Sequence, residues 1–198
     1  PFKIYSGTRQ IAFTKKKVKF RDIAFDNIVI DKKPTSMTTD MGMDWEAWFV
    51  IRELYCNALD EGEATIGIVD EVEASVKPTE TTVFIKITPA IKEILDNWDS
   101  YFSDKRTDLV YEDENGNKMF TGDGSLTIYR KGVRVFYAKD KKSVFHYDFT
   151  DIEINESRTI RDLWTFTWML KDYLLKIEDK TIIEYIFRNI SGTYEADI

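Results

Sequence analysis

Trp45-Glu-Ala-Trp-Phe-Val-Ile-Arg-Glu-Leu-Tyr-Cys-Asn-Ala-Leu-Asp-Glu-Gly62 contains no proline, and no glycine before its last residue. Residues 45 to 59 therefore read as a helix, with Gly62 as the stop and Asp44 in front as an N-cap. Trp45, Trp48, Phe49, Ile51, Leu54 and Leu59 crowd much of its circumference. Glu53 and Asn57 are spaced i,i+4 and stand one turn apart on one face, which Asp60 and Glu61 continue. An acid-amide stripe bordered by apolar residues suits a helix beside a liganded cation. It also suits an ordinary surface stripe on a core helix.

The cation chemistry follows from residue type. Mg²⁺ is a hard cation that takes oxygen ligands and keeps several waters. A neutral amide oxygen such as that of Asn57 can ligate it beside phosphate oxygens without adding like charge. A carboxylate one turn away, Glu53, can orient and deprotonate a water in line with a terminal phosphate.

Outward from this helix the chain alternates strand and helix signals. Lys17-Val-Lys-Phe-Arg21 and Asn27-Ile-Val-Ile30 predict strands, followed by a polar loop over residues 31–44. Ala64–Val69 and Thr81–Ile87 read as a strand pair and Pro89–Phe102 as a second helix. Asp104–Gly124 is polar, with a turn at Glu114-Asn-Gly116. Leu126–Tyr129 and Val133–Phe136 form a hairpin around Gly132, a turn glycine expected at positive φ. Val144–Ile154 adds strand, Ile160–Ile177 predicts a helix, and Lys180–Asn189 continues helically. This order predicts an α+β two-layer sandwich, its sheet mixed or mainly antiparallel with helices packed on one face, rather than a doubly wound parallel sheet.

Bulk properties narrow the function classes. The chain has 198 residues, which predicts a single domain over 1–198; it opens on Pro1 rather than Met, which leaves room for a longer parent chain. Its 28 Lys and Arg stand against 35 Asp and Glu, a net charge of −7. That balance argues against direct nucleic-acid contact by this domain, although Lys15–Lys19 and Lys139–Lys142 are short basic runs that suit solvated turns or an edge strand. One cysteine, Cys56, excludes an internal disulfide framework and is expected as a buried small hydrophobe. The single histidine, His146, lies in an aromatic strand and is expected as a packed residue rather than a catalyst. No apolar run approaches the ~20 residues of a membrane span, so no membrane partner is expected.

Arg52-Glu-Leu-Tyr-Cys-Asn-Ala-Leu-Asp-Glu-Gly62 resembles the N-box of the GHKL (Bergerat-fold) superfamily, which holds gyrase B subunits, heat-shock chaperone ATPases, sensor histidine kinases and MutL proteins. Glu53, Asn57, Ala58 and Asp60 match its pattern at the expected spacing. The resemblance implies a Bergerat-like fold, ATP and Mg²⁺ as cofactors, and slow ATP hydrolysis. It makes Glu53 the base that activates water, Asn57 the Mg²⁺ ligand, and Asp60, with Glu61, neighbours of the nucleotide pocket. It covers about eleven residues strictly. Ile128–Val135 through Asn155–Arg158 is also similar to stretches of phage and mobile-element proteins of the histidine-kinase-like ATPase type, which implies the cytoplasm of a bacterium or an infected host.

The chain departs from the family pattern at two places. The strand end Phe84-Ile-Lys-Ile-Thr-Pro-Ala90 has neither the Asp nor the glycines of the family's Asp-x-Gly-x-Gly motif, and Thr88 is the polar residue there, as an adenine contact or as the start of a turn. Thr121-Gly-Asp-Gly124 is the one glycine cluster and precedes a strand, so it reads as a hairpin turn or as the remnant of a phosphate lid. In Asn155-Glu-Ser-Arg158, Arg158 can pair with a phosphate, while Ser157 or Thr159 can simply cap the next helix. Two readings stand: an ATP-binding, slowly hydrolysing domain that works alone, as a homodimer or with a protein partner; or a catalytically degenerate regulator or inhibitor of the same fold, phage-encoded, that acts by protein binding.

Overall fold

The computed structural model describes residues 2–21, 23–39, 45–72 and 75–198, with backbone alone at Phe2 and Phe20. The expected Asp44 cap lies outside them. The chain divides into two compact units, Pro1–Glu93 and Ile94–Ile198. The class is α+β, as expected, with the sheets mainly antiparallel and one of them mixed.

The N-terminal unit contains β1 (Phe2–Ser6), β2 (Arg9–Ile11), β3 (Phe13–Phe20), β4 (Ile23–Ile30), β5 (Lys33–Thr38), α1 (Ala47–Asp60) and β6 (Thr81–Ile85). They build two three-stranded sheets, ordered β2-β1-β6 and β3-β4-β5. The β1–β2 turn depends on Gly7, whose φ is +57° and whose added Cβ would fall 2.6 Å from the Pro78 carbonyl oxygen. β4 and β5 are joined by Asp31 and Lys32, both at positive φ. That geometry suits a two-residue hairpin and places a strand inside the stretch that reads as a polar loop. Ala64–Val69 forms no strand: β6 pairs with β1, and Ile68 is 73% exposed.

α2 (Pro89–Asp96) spans the division between the units and ends before Asn97, so the expected helix to Phe102 continues only as a 3-10 turn at Trp98–Ser100. The C-terminal unit adds β7 (Leu109–Glu112), β8 (Lys118–Thr121), β9 (Leu126–Arg130), β10 (Val133–Ala138), β11 (Phe145–Phe149), α3 (Leu163–Leu175) and α4 (Lys180–Asn189). The first two are a hairpin within the polar stretch 104–124. The five strands form one sheet, ordered β10-β9-β11-β8-β7, in which β9 and β11 run parallel. Lys131 and Gly132, at φ 50° and 86°, close the β9–β10 hairpin as expected.

β11 shows how alternation sorts side chains. Phe145, Tyr147 and Phe149 point toward α3, where Phe166, Leu170 and Tyr173 recur at helical spacing. Phe149 meets Phe166 edge-on at 5.6 Å and Tyr173 at 5.1 Å. Burying each such side chain stabilises the unit by about 1.5–3 kcal/mol. α3 starts at Leu163 because the Asp162 carboxylate accepts from the amides of Trp164 and Thr165, so neither Ser157 nor Thr159 is the cap. Asp179 does the same for α4. The alternate residues of β11, His146 and Asp148, bond instead to residues of the segment that follows the 3-10 turn, Arg106 and Ser103.

Candidate functional site

α1 buries Ile51, Arg52, Tyr55 and Cys56. At about 100° per residue, Glu53, Asn57 and Asp60 fall on the opposite side. Asn57, Asp60 and Glu61 are exposed there, and Glu53 is half-buried. The helix thus brings the acid and the amide to one face, one turn apart.

The residue before Glu53 shapes that face. Arg52 is 4% exposed, its guanidinium lying 5.0 Å from the Trp48 ring centroid and 4.7 Å from that of Phe49. Its Nε and Nη2 donate to Oε1 of Glu53 at 3.1 and 3.0 Å. Nη1 is buried without a hydrogen-bond partner among the described residues. Glu53 is therefore held in place by a cation, and one of its oxygens is engaged. An exposed amide oxygen beside an anchored carboxylate fits a hydrated Mg²⁺, which needs few protein ligands. No group of three or more His, Cys, Asp or Glu forms a metal cage among the described residues.

Thr88 lies in the same unit, at the entry to α2. Its Oγ1 accepts from the Ile91 amide at 3.3 Å and its carbonyl from the Lys92 amide at 2.8 Å. The hydroxyl is thus used as a helix cap. Arg158 belongs to the C-terminal unit. It sits at φ 55° in a loop closed by the Ile154–Ile160 bridge, where the Asn155 side chain holds Thr159.

Thr121–Gly124 forms neither a hairpin turn nor a helix entry. β8 and β9 are not neighbours, because β11 lies between them, so the segment crosses from one to the other. Gly122 packs against β11 so closely that a Cβ would lie 2.5 Å from the Val144 carbonyl oxygen. The loop carries Asp123, whose Oδ1 accepts from the Ser125 amide and hydroxyl and approaches His146 Nε2 at 3.1 Å. Burial pushes the Asp123 carboxyl up, but these hydrogen bonds outweigh it and hold it down to about 2. Arg106 completes the group, donating to Asp108 and to the Thr121 carbonyl. Both ring nitrogens of His146 are in use and the ring is buried, in line with the packed histidine expected.

Two further buried carboxylates hold local structure. Asp148 Oδ2 accepts from the Ser103 hydroxyl and the Gly132 amide; burial pushes this carboxyl up. Glu195 Oε1 accepts from Ser143 Oγ, the Val144 amide and Tyr147 Oη. Neither Arg106 nor Glu195 carries a motif; their roles come from contacts 40 and 48 residues distant in sequence. A hollow of about 280 Å³ opens beside α4, lined by Val110, Thr121, Phe145, Thr181, Ile182 and Tyr185. Its lining has no charged side chain to meet a phosphate. Cys56 is buried and unbridged.

Comparison with protein-family models, with curated proteins and with solved structures finds no match. No helix among the described residues is long and apolar enough to cross a membrane.

Proposed function

We propose that the chain is a Mg²⁺·ATP-binding protein of the GHKL type that hydrolyses ATP slowly, and that α1 meets the metal and the phosphates. The observation that carries this reading is the Glu53–Asn57 pair, one turn apart on the outward face of α1 within the N-box-like string. Asn57 would ligate Mg²⁺ through its amide oxygen, adding no charge beside the triphosphate. Bound Mg²⁺ would neutralise charge on the terminal phosphates. Glu53, fixed by Arg52, would orient the attacking water and take its proton through the oxygen that faces it. Asp60 and Glu61 extend the stripe toward further metal-bound waters. Thr88 contributes to the fold as a cap before it contributes to adenine. The similarity to phage and mobile-element stretches is the support for a bacterial or infected-host cytoplasm, where ATP and Mg²⁺ would be at hand.

Calorimetry of the full chain with ATP, with and without Mg²⁺, tests this. Asn57→Ala should weaken the Mg²⁺-dependent part at least tenfold. Glu53→Ala should leave binding intact and abolish phosphate release. Absence of Mg²⁺-dependent binding at millimolar ATP sinks the reading.

A second reading, a catalytically degenerate regulator or inhibitor of the same fold acting through a protein partner, is favoured by two observations. Arg52 engages Glu53, and the end of β6 runs into α2 with no acid or glycine to recognise adenine. Tight nucleotide binding without turnover would support that version, as would no nucleotide binding together with a retained protein partner.

A further inference from the structure

The ribbon of β3 and β4 carries charge opposite to that of the rest of the chain. Between Phe13 and Ile30 stand five Lys and Arg against two Asp, a balance of +3; with a total of −7, the remaining residues carry −10. The register arranges these cations. Lys15, Lys17 and Lys19 occupy alternate positions, opposite Ile28, Asp26 and Ala24. The pleat therefore sends all three to one face, about 6.6 Å apart in a row. Lys15, Lys16, Lys17, Lys19 and Arg21 are exposed. Asp26 faces the same row and is tied to Lys15 at 2.7 Å.

Shape accompanies the charge. Among the described residues β5 pairs with β4 from Asn27 onward, and the Thr39 amide donates to the Asp26 carbonyl, so Val18–Phe20 against Ile23–Phe25 is the stretch that is two strands wide. β3 is also the edge of its sheet. Lysines on an edge ordinarily discourage a further strand from adding. Here four lysines stand within five positions, 15 to 19.

We propose that this ribbon is a binding surface for the phosphodiester backbone of duplex DNA. The major groove, about 12 Å wide, admits a two-stranded β-ribbon. A row of lysines would neutralise successive phosphates and release their counterions. The contact is to the backbone alone, because a regular row of lysines supplies point charges to successive phosphates, and phosphate contacts carry no sequence information. The acidic remainder of the chain repels the duplex, which confines contact to the ribbon and keeps binding weak at physiological salt.

Fluorescence anisotropy of the full chain with a labelled duplex of about 20 base pairs, over roughly 50–200 mM NaCl, tests the proposal. Micromolar binding at the low-salt end is expected, with affinity falling steeply as salt rises. Replacing Lys15, Lys17 and Lys19 together by Gln should reduce affinity at least tenfold and lower the salt slope by roughly 2–3. Replacing the same three by Arg should retain binding, and circular dichroism melts should leave both variants as folded as the parent. The proposal fails if the parent shows no salt-dependent binding, or if the Gln variant binds like the parent. Capture by phosphatidylserine vesicles or by an acidic polypeptide, with none by duplex, overturns it equally.

Discussion

Arg106 donates through Nη1 to Nδ1 of His146 at 2.6 Å. Arginine has no acceptor, so Nδ1 must offer its lone pair, and the proton of the neutral ring sits on Nε2, directed at Asp123. In that tautomer Nε2 cannot also accept from the Asp123 amide, which approaches it at 3.4 Å. Protonating the ring would set a second cation against Arg106.

Stability should consequently fall with mild acid. Burial pulls His146 below its ordinary range; Arg106 adds to this, and Asp123 opposes it, as does the more distant Asp108. The unfolded chain takes up this proton near pH ~6.5 while the folded chain refuses it. The contribution is complete above that pH and is lost as pH falls through it toward the lower folded value. Urea unfolding between about pH 7 and pH 5 should show the decline. As the chain has one histidine, His146→Gln should flatten it.

Glu195 is the acceptor for three donors, the buried Ser143 Oγ and Tyr147 Oη and the half-buried Val144 amide. Glu195→Ala leaves the Val144 amide and the Tyr147 hydroxyl without this acceptor, while Ser143 Oγ retains the Phe145 carbonyl, and should cost on the order of 2–3 kcal/mol. Glu195→Gln keeps a carbonyl oxygen in reach and should cost less. Denaturant midpoints of the two variants give the comparison.

Phe149 is 1% exposed and touches Tyr147, Phe166 and Tyr173. Phe149→Ala should destabilise by about 3–5 kcal/mol, measured by chemical unfolding. Phe187→Ala, at a side chain 74% exposed, should change stability by no more than about 0.5 kcal/mol.

Gly122→Ala places a methyl 2.5 Å from a backbone oxygen of Val144, where no flexible side chain can yield. A loss of about 1–3 kcal/mol is expected. Gly67→Ala meets nothing within 4 Å and should be near neutral. Thermal melts of the pair separate crowding from a generic effect of adding a methyl.

How much of this was legible depends on where the cause lies. The helix over 45–59 and the hairpin at Gly132 have local causes, an unbroken helical run and a glycine at positive φ, and both are found where the sequence places them. β5 is hidden because its turn uses Asp31 and Lys32 instead of glycine, and because Pro34 lies in the strand. Ala64–Val69 has the composition of a strand, but a strand needs a neighbour, and the edge of β1 is taken by β6. The face shared by Glu53 and Asn57 follows from spacing alone. The grip of Arg52 on Glu53 does not, since it requires the guanidinium to be buried against Trp48 and Phe49. The Arg106–His146–Asp123 group joins three separated segments and has no local signature.

β11 is the last strand of its sheet to appear in the chain, yet it sits at the centre, between β9 and β8. During synthesis β8 and β9 must wait with facing edges unfilled until residues 145–149 emerge, and an early embrace between those two would shut the keystone out. Folding of this unit is thus bound to its completion, and refolding from denaturant should be slower than its helix content suggests.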